Sequence, residues 1–201
     1  MITFNYDRSF EYYFLCALAA KYKVPAQEAA RIFSNLRIVH VYGQLGELPE
    51  LVSTDDEAGK EKAVPYDSFR EEKNRWGINL RNAADGIQLL WDTPNDKISE
   101  NIKKAQEIIY QQNNTLLFLG FGFDPTNIER IMPIKEIDIE ISAYGTFFGL
   151  PKQRIADLRS KYTYKYRGAV FSLFGGDFFP KNDFVDCKIY DFLYNSHNLM
   201  K

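Results

Sequence analysis

"TLLFLGFGF", residues 115–123, is an apolar run that passes without interruption into Gly120 and Gly122. An unbroken apolar run suits a strand covered on both faces by helices better than one with a wet face. Similar runs stand on either side of it: "ITFNY" (2–6), "LRIVHVYG" (36–43), "GIQLLWD" (86–92) and "DIEISAYG" (138–145). Segments with helical spacing lie between them. "SFEYYFLCALAAKY" (9–22) carries Phe10, Phe14, Leu15 and Leu18 on one side, with Cys16 read as a small buried hydrophobe. "KVPAQEAARIF" (23–33) starts at Pro25, where a missing N–H costs nothing. "ISENIKKAQEIIYQQN" (98–113) is the cleanest amphipathic pattern, with Asn95 or Asp96 as its cap, and "PTNIERIM" (125–132) and "PKQRIADLRSKY" (151–162) complete the set. Strands alternating with helices predict an α/β fold, Rossmann-like, with a mainly parallel sheet and helices on both faces. The expected organisation is a single domain over 1–201, with the aromatic segment 164–201 packing on it. Residues 44–75 are polar and turn-rich, and read as a long loop of the functional or mobile kind.

The totals narrow the function classes. The chain has 201 residues, 45% apolar and 26% charged, with a formal net charge of -2. That charge gives no electrostatic case for nucleic acid as the main partner. "YTYKYR" (162–167), the densest basic group, holds more aromatics than charges and reads as a strand or packed loop. Cys16 and Cys187 lie far apart and neither belongs to a CxxC pair, so no disulfide framework is implied. Two cysteines and two distant histidines build no structural zinc site. No apolar run reaches membrane-spanning length and no cleavable leader is evident, so the expected location is cytoplasmic, without a membrane partner.

Ligands of open parallel sheets bind beyond the carboxyl ends of the strands. Three such ends are polar or glycine-rich: Thr3-Phe4-Asn5-Tyr6-Asp7, then His40 with Gly43, and Gly120-Phe121-Gly122. Each has a plain structural explanation. Asn5 and Asp7 suit a helix cap, His40 between Val39 and Val41 suits a satisfied core histidine, and glycines at strand ends allow tight turns.

Taken together and in order, the three resemble the sirtuin-like family of NAD-binding domains. "TFNYD" (3–7) matches the family's "TQNID" at Thr3, Asn5 and Asp7, and "HVYG" (40–43) stands where the family has its catalytic "HG". "LFLGFGFDPTNIERI" (117–131) is similar to the "GTS" strand end, and closer to the "LGFGF…N" version of bacterial defence proteins. "ISAYG" (141–145) is the next strand end, with Ser142 along the ribose. The resemblance runs roughly from residue 2 to 160. It implies NAD as ligand and substrate, without a metal. Thr3, Asn5 and Asp7 would hold its nicotinamide and ribose end, with Asn5 and His40 catalytic, and Gly120 and Gly122 would allow close approach to ribose. In the family role His40 is a general base, which its neutral form near pH 7 suits.

The departures carry information too. Phe4 replaces the glutamine of "TQNID", and Phe121 and Gly122 replace the "GTS" hydroxyls. The zinc-binding cysteine pairs of sirtuin deacylases are absent, which favours NAD hydrolysis or sensing, as in antiphage defence, over protein deacylation. A non-catalytic nucleotide-binding or interaction module is the alternative. No glycine-rich "GAGIS"-type turn is present to receive the pyrophosphate. Its strand is central in the 3-2-1-4-5-6 order. The expectation is therefore a fold incomplete at the N-terminus, with an upstream segment or a partner chain supplying that strand. Unpaired edges of this kind also favour self-association into a homo-oligomer.

Overall fold

The computed structural model describes residues 1–53, 55–66, 76–87, 96–110, 115–132, 142–166, 169–172 and 183–195. These fall into two compact units, Met1–Ala105 and Gln106–Lys201. The architecture is α/β: eight α-helices are found among the described residues, with one parallel sheet in each unit.

In the first unit, β1 (Ile2–Thr3) pairs in parallel with β2 (Val39–His40), Ile2 opposite Val39 and Thr3 opposite His40. Both strands are shorter than their apolar runs. The pairing continues only as far as Val41 N–H to the Thr3 carbonyl (2.9 Å), because the next carbonyl along, that of Asn5, is taken by a side chain instead. Two helices connect the strands, α1 (Ser9–Tyr22) and α2 (Ala26–Phe33), as a parallel pair requires. Between them Lys23 takes a left-handed turn at φ +54°. Leu15, Ala29 and Phe33 form a buried cluster, flanked by Leu18, Val24, Ile38 and Leu51. Burying a side chain the size of Leu15 or Phe33 contributes on the order of 1.5–3 kcal/mol.

The inward stripe of α1 differs from the one its apolar residues suggest. Glu11 and Leu15 are buried, whereas Phe10 and Phe14 stack on each other at the surface, beside an exposed Tyr13. Cys16 is exposed as well, not the buried hydrophobe expected. A helix apolar nearly all round has no periodicity to fix its phase. The phase is set here by a polar pair, Glu11 and His40.

Residues 44–75 hold more structure than a loop. A 3-10 turn (Pro49–Leu51) and the helix α3 (Glu57–Lys62) lie within it, and Asp56 caps α3 through Gly59 N–H (2.8 Å). The helix α4 (Trp76–Asp85) follows. The expected strand over 86–92 falls largely outside the described residues, as does Asn95. Ile87 forms an isolated antiparallel bridge with Gly43. The helix α5 covers Asp96–Ile109.

The second unit carries β3 (Thr115–Phe118), β4 (Ser142–Thr146) and β7 (Asp183–Val185), all parallel, in the order β3-β4-β7. The helix α6 (Pro125–Ile131) lies between the first two, and α7 (Lys152–Lys161) follows β4. Asp124 caps α6 by accepting Thr126 N–H (2.9 Å), with Pro125 at the first helical position. An antiparallel hairpin, β5 (Thr163–Tyr166) with β6 (Ala169–Ser172), precedes β7, and α8 (Ile189–Asn195) follows it. Phe118, Phe123, Phe147 and Phe184 make an aromatic core, with Phe147 and Phe184 4.8 Å apart. Gly145 lets it close. A Cβ there would stand 2.5 Å from the Phe118 carbonyl oxygen and 2.9 Å from the Phe184 ring. No helix among the described residues is long and apolar enough to cross a membrane.

Candidate functional site

The first unit gathers its polar residues where β1 ends. The Thr3 hydroxyl accepts Asn5 N–H at 3.1 Å, which turns the chain out of the strand. Asp7 accepts Ser9 N–H at 3.0 Å just ahead of α1, whose N-cap position is Arg8 rather than Asn5 or Asp7. These bonds from Ser9 hold the Asp7 carboxyl below the usual carboxylate range, helped by the nearby charge of His40. The side chains of Asn5 and Asp7 are exposed, and that of Asn5 makes no hydrogen bond among the described residues. An exposed carboxamide and an exposed carboxylate two residues apart suit the amide and hydroxyl groups of a polar ligand.

His40 lies beneath this turn, at only 7% exposure. Its Nδ1 donates to the Asn5 carbonyl at 2.8 Å, and a carbonyl can only accept, so Nδ1 carries a proton. Its Nε2 meets Oε1 of Glu11, which is itself 5% exposed. Burial disfavours the imidazolium, but the Glu11 carboxylate and the Asn5 carbonyl outweigh it and raise the histidine above its ordinary value. This differs from the neutral general base expected at position 40. Both ring nitrogens are committed, and neither offers a lone pair to a ligand. Asn101 of α5 donates to the His40 carbonyl at 3.1 Å and holds the strand from the other side.

Glu11 is the buried charged partner of His40 that residue patterns alone miss. An acidic residue among "SFEYYFL" reads as the wet position of an amphipathic helix. Arg8 is buried too. Its Nη2 donates to the Val64 carbonyl at 2.7 Å, while Nε and Nη1 find no partner among the described residues. Burial pushes its guanidinium down, partly offset by Glu11, Glu50 and Glu47.

The second unit has a cleft of about 470 Å³ at the carboxyl ends of its three parallel strands. Gly120 and Gly122 line it from beyond β3, Thr146 and Phe148 from the end of β4, and Lys188 and Tyr190 from the start of α8 after β7. Gly120 has φ +61°, where a side chain is strained, and a Cβ there would meet Ile189 at 3.0 Å. Gly122 faces open space. Phe123, the next residue but two after Gly120, is fully buried at φ +51°, and its carbonyl accepts from Arg154 at 2.9 Å. Phe148 and Tyr190 are 60% and 74% exposed, and the Tyr190 ring already stacks on Tyr194 with centroids 6.1 Å apart.

Sequence order thus places Gly120 and Gly122 in this cleft, but not Ser142. Ser142 is the first residue of β4, paired with Thr115 at the first residue of β3, so it stands at the amino end of the sheet. Thr146, at the other end of the same strand, occupies the position assigned to it. Cys187 is partly buried next to Asp191 and Asp186, and burial with those charges pushes its thiol up. That is the opposite of an activated nucleophile. No group of three or more His, Cys, Asp or Glu side chains gathers to hold a metal ion among the described residues. Comparison of the chain with family models, with curated proteins and with solved structures gives no match.

Proposed function

We propose that the chain is a sirtuin-like, Rossmann-type domain that binds NAD-class nucleotides and holds them without hydrolysing them. The observation that carries this reading is the cleft of the second unit. It lies at the carboxyl ends of β3, β4 and β7, where open parallel sheets take their ligands. Its volume suits a small organic ligand. Its chemistry suits a nucleotide: exposed aromatic rings for a base, Thr146 and glycine backbone for a ribose, and Lys188 for a phosphate. The exposed Asn5 and Asp7 side chains are of the type that the resembled family turns toward the nicotinamide and its ribose.

Binding is favoured over turnover because of His40. A general base needs a free lone pair within reach of the proton it removes. The imidazole here is buried and bonded at both nitrogens.

The test is a thermal-shift titration of the purified chain with NAD, ADP-ribose and AMP, together with an assay for released nicotinamide. All three nucleotides are expected to raise the melting temperature. At a hundredfold excess over Kd, the stabilisation expected is about 2.7 kcal/mol. Lys188→Ala is expected to reduce the shift, and no nicotinamide should appear. Absence of any shift at millimolar nucleotide overturns the binding reading. Nicotinamide release that is lost in His40→Ala replaces it with hydrolysis.

A further inference from the structure

Glu11 plays no part in the chemistry that the family resemblance assigns to this region, yet it is among the few charged side chains buried in the described residues of the first unit. Its placement has a specific consequence. The imidazole of His40 bridges three separate pieces of chain. Its own backbone lies in β2, its Nε2 meets Glu11 on the first turn of α1, and its Nδ1 holds the carbonyl of Asn5 in the turn after β1. Asn5 therefore has an immobilised backbone and a free side chain.

We infer that Glu11 is a positioning residue: acting through the His40 ring, it fixes the Asn5–Asp7 turn in the conformation that presents its carboxamide and carboxylate to a ligand. This rests on the nucleotide-binding reading for the identity of the ligand, but not for the relay itself.

Two protons decide the arrangement. The Asn5 carbonyl takes its hydrogen bond only from a protonated Nδ1, and the Glu11 carboxylate takes one only from a protonated Nε2. Both bonds coexist only while a proton lies between Nε2 and the Glu11 carboxyl, carried by the ring as an imidazolium or by Glu11 as an acid donating to Nε2. Once that proton is lost, the ring must give up one of the two partners. The Glu11 carboxylate, buried against the ring, is what keeps the second proton on it. Among the described residues, the charged groups that bear on the ring are few. Glu11 and Arg8 face it from α1 and the residue before it, Asp7 from just ahead of that helix, and α5 contributes only the neutral Asn101 on the backbone carbonyl. β1 contributes no titratable side chain. Arg8 opposes the imidazolium, so Glu11 is the residue that decides its state.

The chain has only two histidines, His40 and His197, so side-chain 15N NMR of imidazole-labelled protein reads the ring directly once His197→Asn has assigned the pair. In the wild-type protein both His40 nitrogens are expected to stay protonated above the ordinary histidine range. Glu11→Gln is expected to lower the midpoint by at least one pH unit, roughly tenfold in proton affinity. Glu11→Asp, which keeps the charge, should restore part of it. NAD affinity, followed by calorimetry between pH 6 and 9, should fall several-fold across the same midpoint and should move with it in Glu11→Gln. A wild-type ring that titrates at or below the ordinary value overturns the inference, and this holds even if Glu11→Gln fails to fold. A shifted ring with pH-independent NAD affinity overturns the positioning role. If NAD does not bind at any pH, the nucleotide reading fails, while the 15N titration still decides whether Glu11 controls the ring.

Discussion

Gly120 and Gly122 are adjacent members of one motif, and the structure gives them different tasks. Gly120 needs to be glycine for its backbone, at φ +61° with Ile189 close behind. An L-residue in that region costs roughly 1–2 kcal/mol. Gly122 has neither constraint, since its φ is ordinary and nothing lies within 4 Å of where a Cβ would stand. Gly120→Ala is therefore expected to lower stability by about 1–2 kcal/mol, seen as an earlier urea midpoint. Gly122→Ala should leave stability within about 0.5 kcal/mol of wild type. Because Gly122 lines the open cleft, its alanine variant should nonetheless bind nucleotide more weakly. Equal destabilisation by both substitutions would show that the turn, not the cleft, is what the pair of glycines serves.

The same contrast holds among elements. Gly145 sits inside β4, where a methyl group would press on the backbone oxygen of Phe118 and on the Phe184 ring. Backbone in a paired strand cannot retreat as a flexible side chain can. Gly145→Ala is expected to cost about 1–3 kcal/mol, the range for overpacking a filled core, measurable by denaturant titration. Packing at this level explains which parts of the fold are legible in sequence. Helices α6 and α7 are read correctly because their starts are local, Asp124-Pro125 in one and Pro151 in the other. β1 to β4 are located by their apolar runs, but their lengths are not, and β6 and β7 go unread within the aromatic segment. β1 stops at Thr3 because a histidine 35 residues beyond Asn5 takes the Asn5 carbonyl. The phase of α1 is illegible for the same reason. Phe10 and Phe14 look like the inner face, and Glu11 goes inward only because His40 waits there. Ser142 is misplaced within its strand: the expected end at Gly145 is nearly right, but the cleft is lined by Thr146 at the carboxyl end, four residues beyond Ser142. Local caps are written in neighbouring residues, whereas the site depends on contacts distant in sequence.

For the whole molecule, the buried Glu11–His40 pair links stability to pH. The folded-state value of His40 is raised above its unfolded value of about 6.5. A group shifted in that direction contributes stability that is fully present below the unfolded value. It is lost as pH rises through the folded value, because over that window the native state binds more protons than the unfolded chain. Unfolding free energy should therefore fall as pH climbs from about 6.5, with a limiting slope of about 1.4 kcal/mol per pH unit for one proton. Urea midpoints at about pH 5.5, 7 and 8.5 check this, spanning the window on both sides of the ordinary histidine value. The control cannot be His40→Gln alone, since that would leave a buried carboxylate without its partner, which costs on the order of 3–5 kcal/mol by itself. Glu11→Gln combined with His40→Gln removes both charges, and amide side chains can bond to each other and to the Asn5 carbonyl. The double variant is expected to lose the fall in stability between about 6.5 and 8.5 while keeping a single unfolding transition. What remains is the opposite contribution of the Met1 ammonium, whose pKa burial lowers. Were wild type and double variant to show the same pH dependence over that window, the raised value of His40 would be excluded, and with it the pair's hold on stability.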